Sequence, residues 1–146
     1  MANVVAGGLS AVPRRASDSE KLAARRSVRR PRRGELWMVY TPGQADDPHQ
    51  PRPALVISED IRNALRDDLM VVPLFSSGRP GPTRVELPAG AGGVRRTSML
   101  FCEELTTIDR DFLRRGPLGR PVSTQLLAAV VRAIRRALGD VVLEQP

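Results

Sequence analysis

The stretch Gln50-Pro51-Arg52-Pro53-Ala54-Leu55-Val56-Ile57 restricts the backbone more than any other part of the chain. A residue that precedes proline is pushed out of the helical region into extended conformations, which applies to Gln50 and Arg52 alike. Four apolar residues follow, enough for a short strand covered on both faces. The segment therefore reads as a stiff entry into a buried strand with one permanent cation at its mouth. A polar Pro/Gly/Asp loop over 42–50 precedes it and carries Asp46, Asp47 and the single histidine, His49. A guanidinium on a rigid backbone suits a group that must meet a phosphate in one geometry, because its planar fork matches two phosphate oxygens. The same placement suits an arginine that closes a strand and pairs with a carboxylate. These residues alone leave both readings open.

The rest of the pattern is that of short strands. Residues 35–41 alternate as a strand, and Ala54 to Ser58 form a second. Ser58-Glu59-Asp60 opens a short helical turn through Leu65. Leu69 to Phe75 reads as a third strand, in which Pro73 argues for an edge position or a bulge. Thr83 to Leu87 and Ser98 to Glu103 read as a fourth and fifth, separated by a flexible Gly90–Gly93 connection. A short helix is expected to begin at Thr107-Ile108-Asp109. Ser123 has the position of an N-cap for a last helix that ends at Gly139, with Leu127, Val130, Ile134 and Leu138 recurring on one packing face. Short strands closed by one long helix point to a mainly β protein, a small barrel with peripheral helices. Trp37 is expected inside it.

At 146 residues the chain supports one domain with a real core. Its basic residues are unevenly spread. Residues 1–33 hold nine basic and two acidic side chains, which accounts for the whole net charge of +7, while 34–146 hold 14 of each. Residues 1–31 therefore read as a basic extension, disordered at first and partly helical over about 18–30, that raises affinity for any polyanion in a salt-dependent way. The folded domain is expected over 32–146. No apolar run approaches the length of a membrane span, and no signal peptide is recognisable. One cysteine, Cys102, excludes an internal disulfide and fits a reducing cytoplasm. One histidine and one cysteine argue against a His/Cys metal site in a single chain, and no cofactor is expected.

Arg33-Gly34-Glu35-Leu36-Trp37, Arg52-Pro53-Ala54-Leu55-Val56, Val71-Val72-Pro73-Leu74-Phe75-Ser76-Ser77, Arg84-Val85-Glu86-Leu87 and Thr107-Ile108-Asp109 occur in an order, and at a spacing, that resembles the MazF/PemK family. These are toxins of bacterial toxin–antitoxin pairs, and many are RNA endonucleases. The resemblance covers about residues 32–140. It implies an SH3-like barrel with a C-terminal helix, a two-fold homodimer that holds single-stranded RNA in a groove across its interface, and a cognate antitoxin that lays a disordered acidic segment over that groove.

RNA can be cut without a metal if its own 2′-hydroxyl attacks the adjacent phosphorus and expels the 5′-oxygen. The protein then supplies stabilisation of the phosphorane, a proton acceptor and a proton donor. The resemblance gives Arg52 a catalytic role. The family's second residue, a hydroxyl two positions after the VPL proline, falls on Phe75, a ring that can do no such work. Ser76 and Ser77 follow at once and are the candidate hydroxyls, although on a continuing strand Ser76 faces away from Phe75 unless the chain bends there. Phe75 itself is a candidate for stacking on a base. His49 has the pKa range of an acid/base catalyst. Asp47 can orient Arg52 or meet the antitoxin. Glu104 falls where many relatives carry an RNA-contacting glutamine and Thr106 where many carry a basic residue, so these two are candidate substrate contacts that depart from the pattern. The departures at Phe75, Glu104 and Thr106 support an alternative, a non-cleaving toxin of the same fold that blocks a protein target, as in the related CcdB family. A nucleic-acid-binding module without catalysis is a further alternative.

Overall fold

The computed structural model describes Ser17, residues 30–40 and residues 50–140. His49, Asp47, Asp46 and nearly all of the basic extension, with its expected helix, lie outside the described residues.

Alternation sets the architecture. Among the described residues seven strands form: β1 (Leu36–Val39), β2 (Arg52–Val56), β3 (Asp68–Phe75), β4 (Arg84–Leu87), β5 (Ser98–Phe101), β6 (Thr106–Asp109) and β7 (Leu113–Arg115). They pair antiparallel in the order β4-β5-β3-β2-β1-β7, and β6 adds to β3 beside β5. The sheet is roughly barrel-like but does not close, with β4 and β7 as its ends. In β1 and β2 the side chains alternate between two cores. Leu36, Leu55, Val72, Leu74, Leu87 and Leu100 pack under the C-terminal helix α2 (Thr124–Ala137), which contributes Leu127, Val130 and Ala133. Trp37, Val39, Ala54, Val56, Leu69, Val71 and Ile108 form the second core on the opposite face. The central strands are thus covered on both sides, which is why β2 reads as an unbroken apolar run.

Three expectations are corrected. Pro73 sits at neither an edge nor a bulge: it pairs with Ala54 inside the sheet. The Met70 carbonyl accepts from Ile57 N–H, so Met70 turns its backbone toward β2 and alternate residues, Pro73 among them, turn theirs the other way. On that side β6 ends opposite Val71 and β5 begins opposite Leu74, so the missing N–H of Pro73 falls in the gap between two partner strands. Thr106–Asp109 is a strand, favoured by its β-branched residues, and the helical turn begins only at Arg110, where the Asp109 carboxylate accepts from Asp111 N–H at 3.0 Å. Leu138 is 79% exposed. It is in phase with Leu127, but α2 rests on β4 and the Cys102–Glu104 turn and overruns them at its end.

The Arg33-Gly34-Glu35 motif is a latch. Gly34, at φ +94°, donates its N–H to Val56 O, and Val56 N–H returns to Glu35 O. The buried Glu35 carboxylate accepts from Arg32 N–H at 2.7 Å and from the Trp37 indole at 3.2 Å. The Arg33 side chain donates to Ile57 O at 3.0 Å. Together these tie the start of β1 to the end of β2. A short helix α1 (Asp60–Leu65) follows β2 as expected, held by the buried Ser58–Asn63 pair, whose Ser58 Oγ also accepts from Met70 N–H.

Candidate active site

Arg52 opens β2 and Phe75 ends β3. The pairing Ala54↔Pro73, continued by two residues, sets Arg52 directly opposite Phe75 and on the same face. Their side chains meet: the Arg52 guanidinium carbon lies 4.2 Å from the centroid of the Phe75 ring. That face is the one away from α2, so both residues stand at the rim of the second core, where the apolar row Val56, Ala54 gives way to a cation.

The row continues across the sheet. Phe75 pairs with Met99, which puts Phe101, two residues on, at the diagonal position within reach of a large ring. The Phe75 and Phe101 centroids are 4.3 Å apart with the rings tilted by 38°. Phe101 pairs in turn with Arg84, whose guanidinium carbon is 3.8 Å from the Phe101 centroid. Arg84 is held from behind by Glu103 (Nε–Oε2 3.0 Å) and by Arg79 O. Gly78 lies against the same ring, since a Cβ there would come within 2.6 Å of Phe101. The result is a column of four side chains from four strands: cation, ring, ring, cation.

A cleft of about 330 Å³ opens beside this column, lined by Arg52, Pro53, Leu74, Phe75, Ser76, Ser77 and Ser98. The chain bends at Ser76, and both Ser76 and Ser77 are exposed. Four of the residues singled out in the sequence, Arg52, Phe75, Ser76 and Ser77, are therefore brought together. Glu104 and Thr106 are not. Glu104 is exposed on the turn that follows β5, and Thr106 opens β6 opposite Val71, so neither lines the cleft. Sequence reasoning missed Ser98, Phe101 and Arg84. Period-two alternation in β4 and β5 puts Arg84 and Phe101 on one face and Ser98 on the other, but only the pairing of those strands with β3 brings all three near Arg52. Cys102, next to the column, is buried in the other core, and burial, with the neighbouring Glu103 charge adding to it, pushes its thiol up to about 12.

Among the described residues no three His, Cys, Asp or Glu side chains gather as a metal would require, and no helix is long and apolar enough to cross a membrane. Sheet and cleft define a small, mainly β protein that collects two guanidiniums, a ring pair and several hydroxyls at a single rim. Residues 32–138 match the model of the PemK-like, MazF-like toxin of type II toxin–antitoxin systems, and the chain belongs to that family. It is 33% identical over 111 residues to endoribonuclease MazF9 of Mycobacterium tuberculosis, a match that spans 71% of this chain and 92% of that one. The fold is similar to MazF from Deinococcus radiodurans (26% identity, TM-score 0.64, 77% of this chain and 99% of that one). It is also similar to a mycobacterial endoribonuclease in complex with its cognate antitoxin (25% identity, TM-score 0.61, 75% and 95%).

Proposed function

We propose that this toxin is an endoribonuclease that cuts single-stranded RNA by attack of the 2′-hydroxyl on the adjacent phosphorus, leaving a 2′,3′-cyclic phosphate and a 5′-hydroxyl. The observation that carries this reading is a partly buried arginine on a fixed strand that lines an open cleft with hydroxyl groups. Arg52 stabilises the charge that builds on the phosphorane, in an arrangement whose donors are set before the substrate arrives. The Ser76 and Ser77 hydroxyls, joined by Ser98, hold the phosphate oxygens or relay a proton. His49 and Asp47, on the loop that leads into Arg52, are the nearest acid/base groups in sequence. Glu104 and Thr106 meet nucleotides outside the cleft, the carboxylate through an exocyclic amine of a base. The endoribonuclease and antitoxin names of its relatives support the same activity, and a cognate antitoxin as partner. The working form is a homodimer in the bacterial cytoplasm, where its RNA substrate is found.

The test uses purified chain and an unstructured RNA in EDTA. Wild type cleaves, and Arg52→Ala lowers kcat/KM by about 100- to 1,000-fold, the loss typical of removing a key oxyanion contact. Arg52→Lys does not restore it, because an ammonium lacks the fork. Toxicity without RNA fragments would instead favour a toxin that blocks a protein, the reading to which Phe75, in the place of a hydroxyl, lends weight.

A further inference from the structure

We infer that Phe75 is a positioning residue for Arg52, and that Phe101 and Arg84 brace it from behind. The inference rests on the proposed RNA cleavage. Where the family pattern has a hydroxyl, this chain has a ring, and the ring lies against the guanidinium at 4.2 Å. A guanidinium held over a ring keeps its N–H groups in its own plane, directed outward along the edges. Those edges are the part of Arg52 that a phosphate in the cleft would meet. An arginine side chain otherwise has many rotamers to lose on binding, and fixing it in advance lowers the cost of ordering it in the transition state.

The rest of the column explains why the ring itself stays in place. Phe75 is at the last position of β3, with the chain bending at the next residue, so its backbone alone constrains it less than an interior strand residue. Phe101 backs it at 4.3 Å, Arg84 covers Phe101 at 3.8 Å, and Glu103 ties Arg84 down at 3.0 Å. A hydroxyl lost at position 75 is thus replaced by a different device. The phosphate is no longer touched from that position, and the group that does touch it is held more firmly. The three serines of the cleft then provide the hydroxyl chemistry.

A double-mutant cycle on the full chain tests this. Wild type, Phe75→Leu, Arg52→Ala and the double variant are compared in cleavage of unstructured RNA and in affinity for the same oligonucleotide with 2′-deoxy substitution. Phe75→Leu is expected to lower kcat about tenfold with a smaller change in KM, the size of one cation–π contact. In the Arg52→Ala background the same change should have no effect, since a residue that acts through another is silent once the other is gone. Phe75→Tyr, which keeps the ring face, should recover most of the lost rate, and Phe101→Leu should reproduce the loss in part. Equal effects of Phe75→Leu with and without Arg52 would overturn the inference. So would a leucine variant as active as wild type. If wild type cuts no RNA, the cleavage reading fails alone. The binding arm then decides: coupling between the two positions upholds the positioning role, and additivity, or no binding that depends on Arg52, rejects it.

Discussion

Cys102 shows how far one side chain's surroundings govern its chemistry. The thiol is 1% exposed, and its pKa rises from the ordinary 9.0 to about 12, from burial first and the Glu103 charge second. The folded chain therefore keeps the thiol neutral where the unfolded chain ionises it. The sign follows: this contribution to stability is complete below about pH 9 and is lost as pH rises toward 12. Chemical unfolding from pH 8 to 11 should show stability falling more steeply for wild type than for Cys102→Ala. At pH 8, iodoacetamide should label the cysteine only in denaturant. Labelling of the native chain at the rate of a free thiol would contradict the burial. Arg52 is the opposite case. Its surroundings act on the direction of the guanidinium, which lies over the Phe75 ring.

At the level of elements, Pro73 gives the sharpest contrast between sequence and structure. A proline in an apolar run argues for an edge, yet β3 is the strand with the most partners. The sequence does not announce that β3 changes partner from β6 to β5 midway, because strand pairing over tens of residues leaves no local mark. Pro73→Ala would add an N–H pointing into the gap between those partners. We expect a destabilisation of about 1–3 kcal/mol, the cost of a buried donor left unmade. Stabilisation in equilibrium unfolding would mean that the gap is bridged. What was legible had strong local signals: the extended entry at Arg52, the apolar run of β2, the Ser123 cap, whose hydroxyl accepts from Leu126 N–H, and the inward Trp37. What was not legible lacked them. The three-residue β7 has two exposed arginines and no apolar alternation, and Thr106–Asp109 is too short to separate strand from helix. The same limit hid part of the candidate site. Arg52, Ser76 and Ser77 could be found along the chain, whereas Ser98, Phe101 and Arg84 come to the cleft through pairings between strands.

At the scale of the whole molecule, charge and chemistry are separate in sequence. Residues 34–146 carry as many acids as bases, so the folded domain has no excess charge of its own, and the net +7 lies in the residues that precede it. Truncation before Arg30 removes six basic and two acidic residues and keeps the buried Pro31 and the latch at Arg32. RNA affinity should then weaken and its salt dependence should flatten, by no more than about 4 in the slope of log K against log salt. The rate at saturating RNA should stay within about twofold of wild type. A large fall in that rate would place part of the cleavage machinery in the extension. The double roofing of β2 and β3 has a last consequence. Amides in strands buried on both sides exchange with solvent only in near-global opening, so Arg52 and Phe75 are carried by what should be the slowest-exchanging part of the protein. Ser76 and Ser77, one step beyond β3, should exchange early. Partial melting of this toxin would therefore loosen the cleft's hydroxyl wall while its cation still stands.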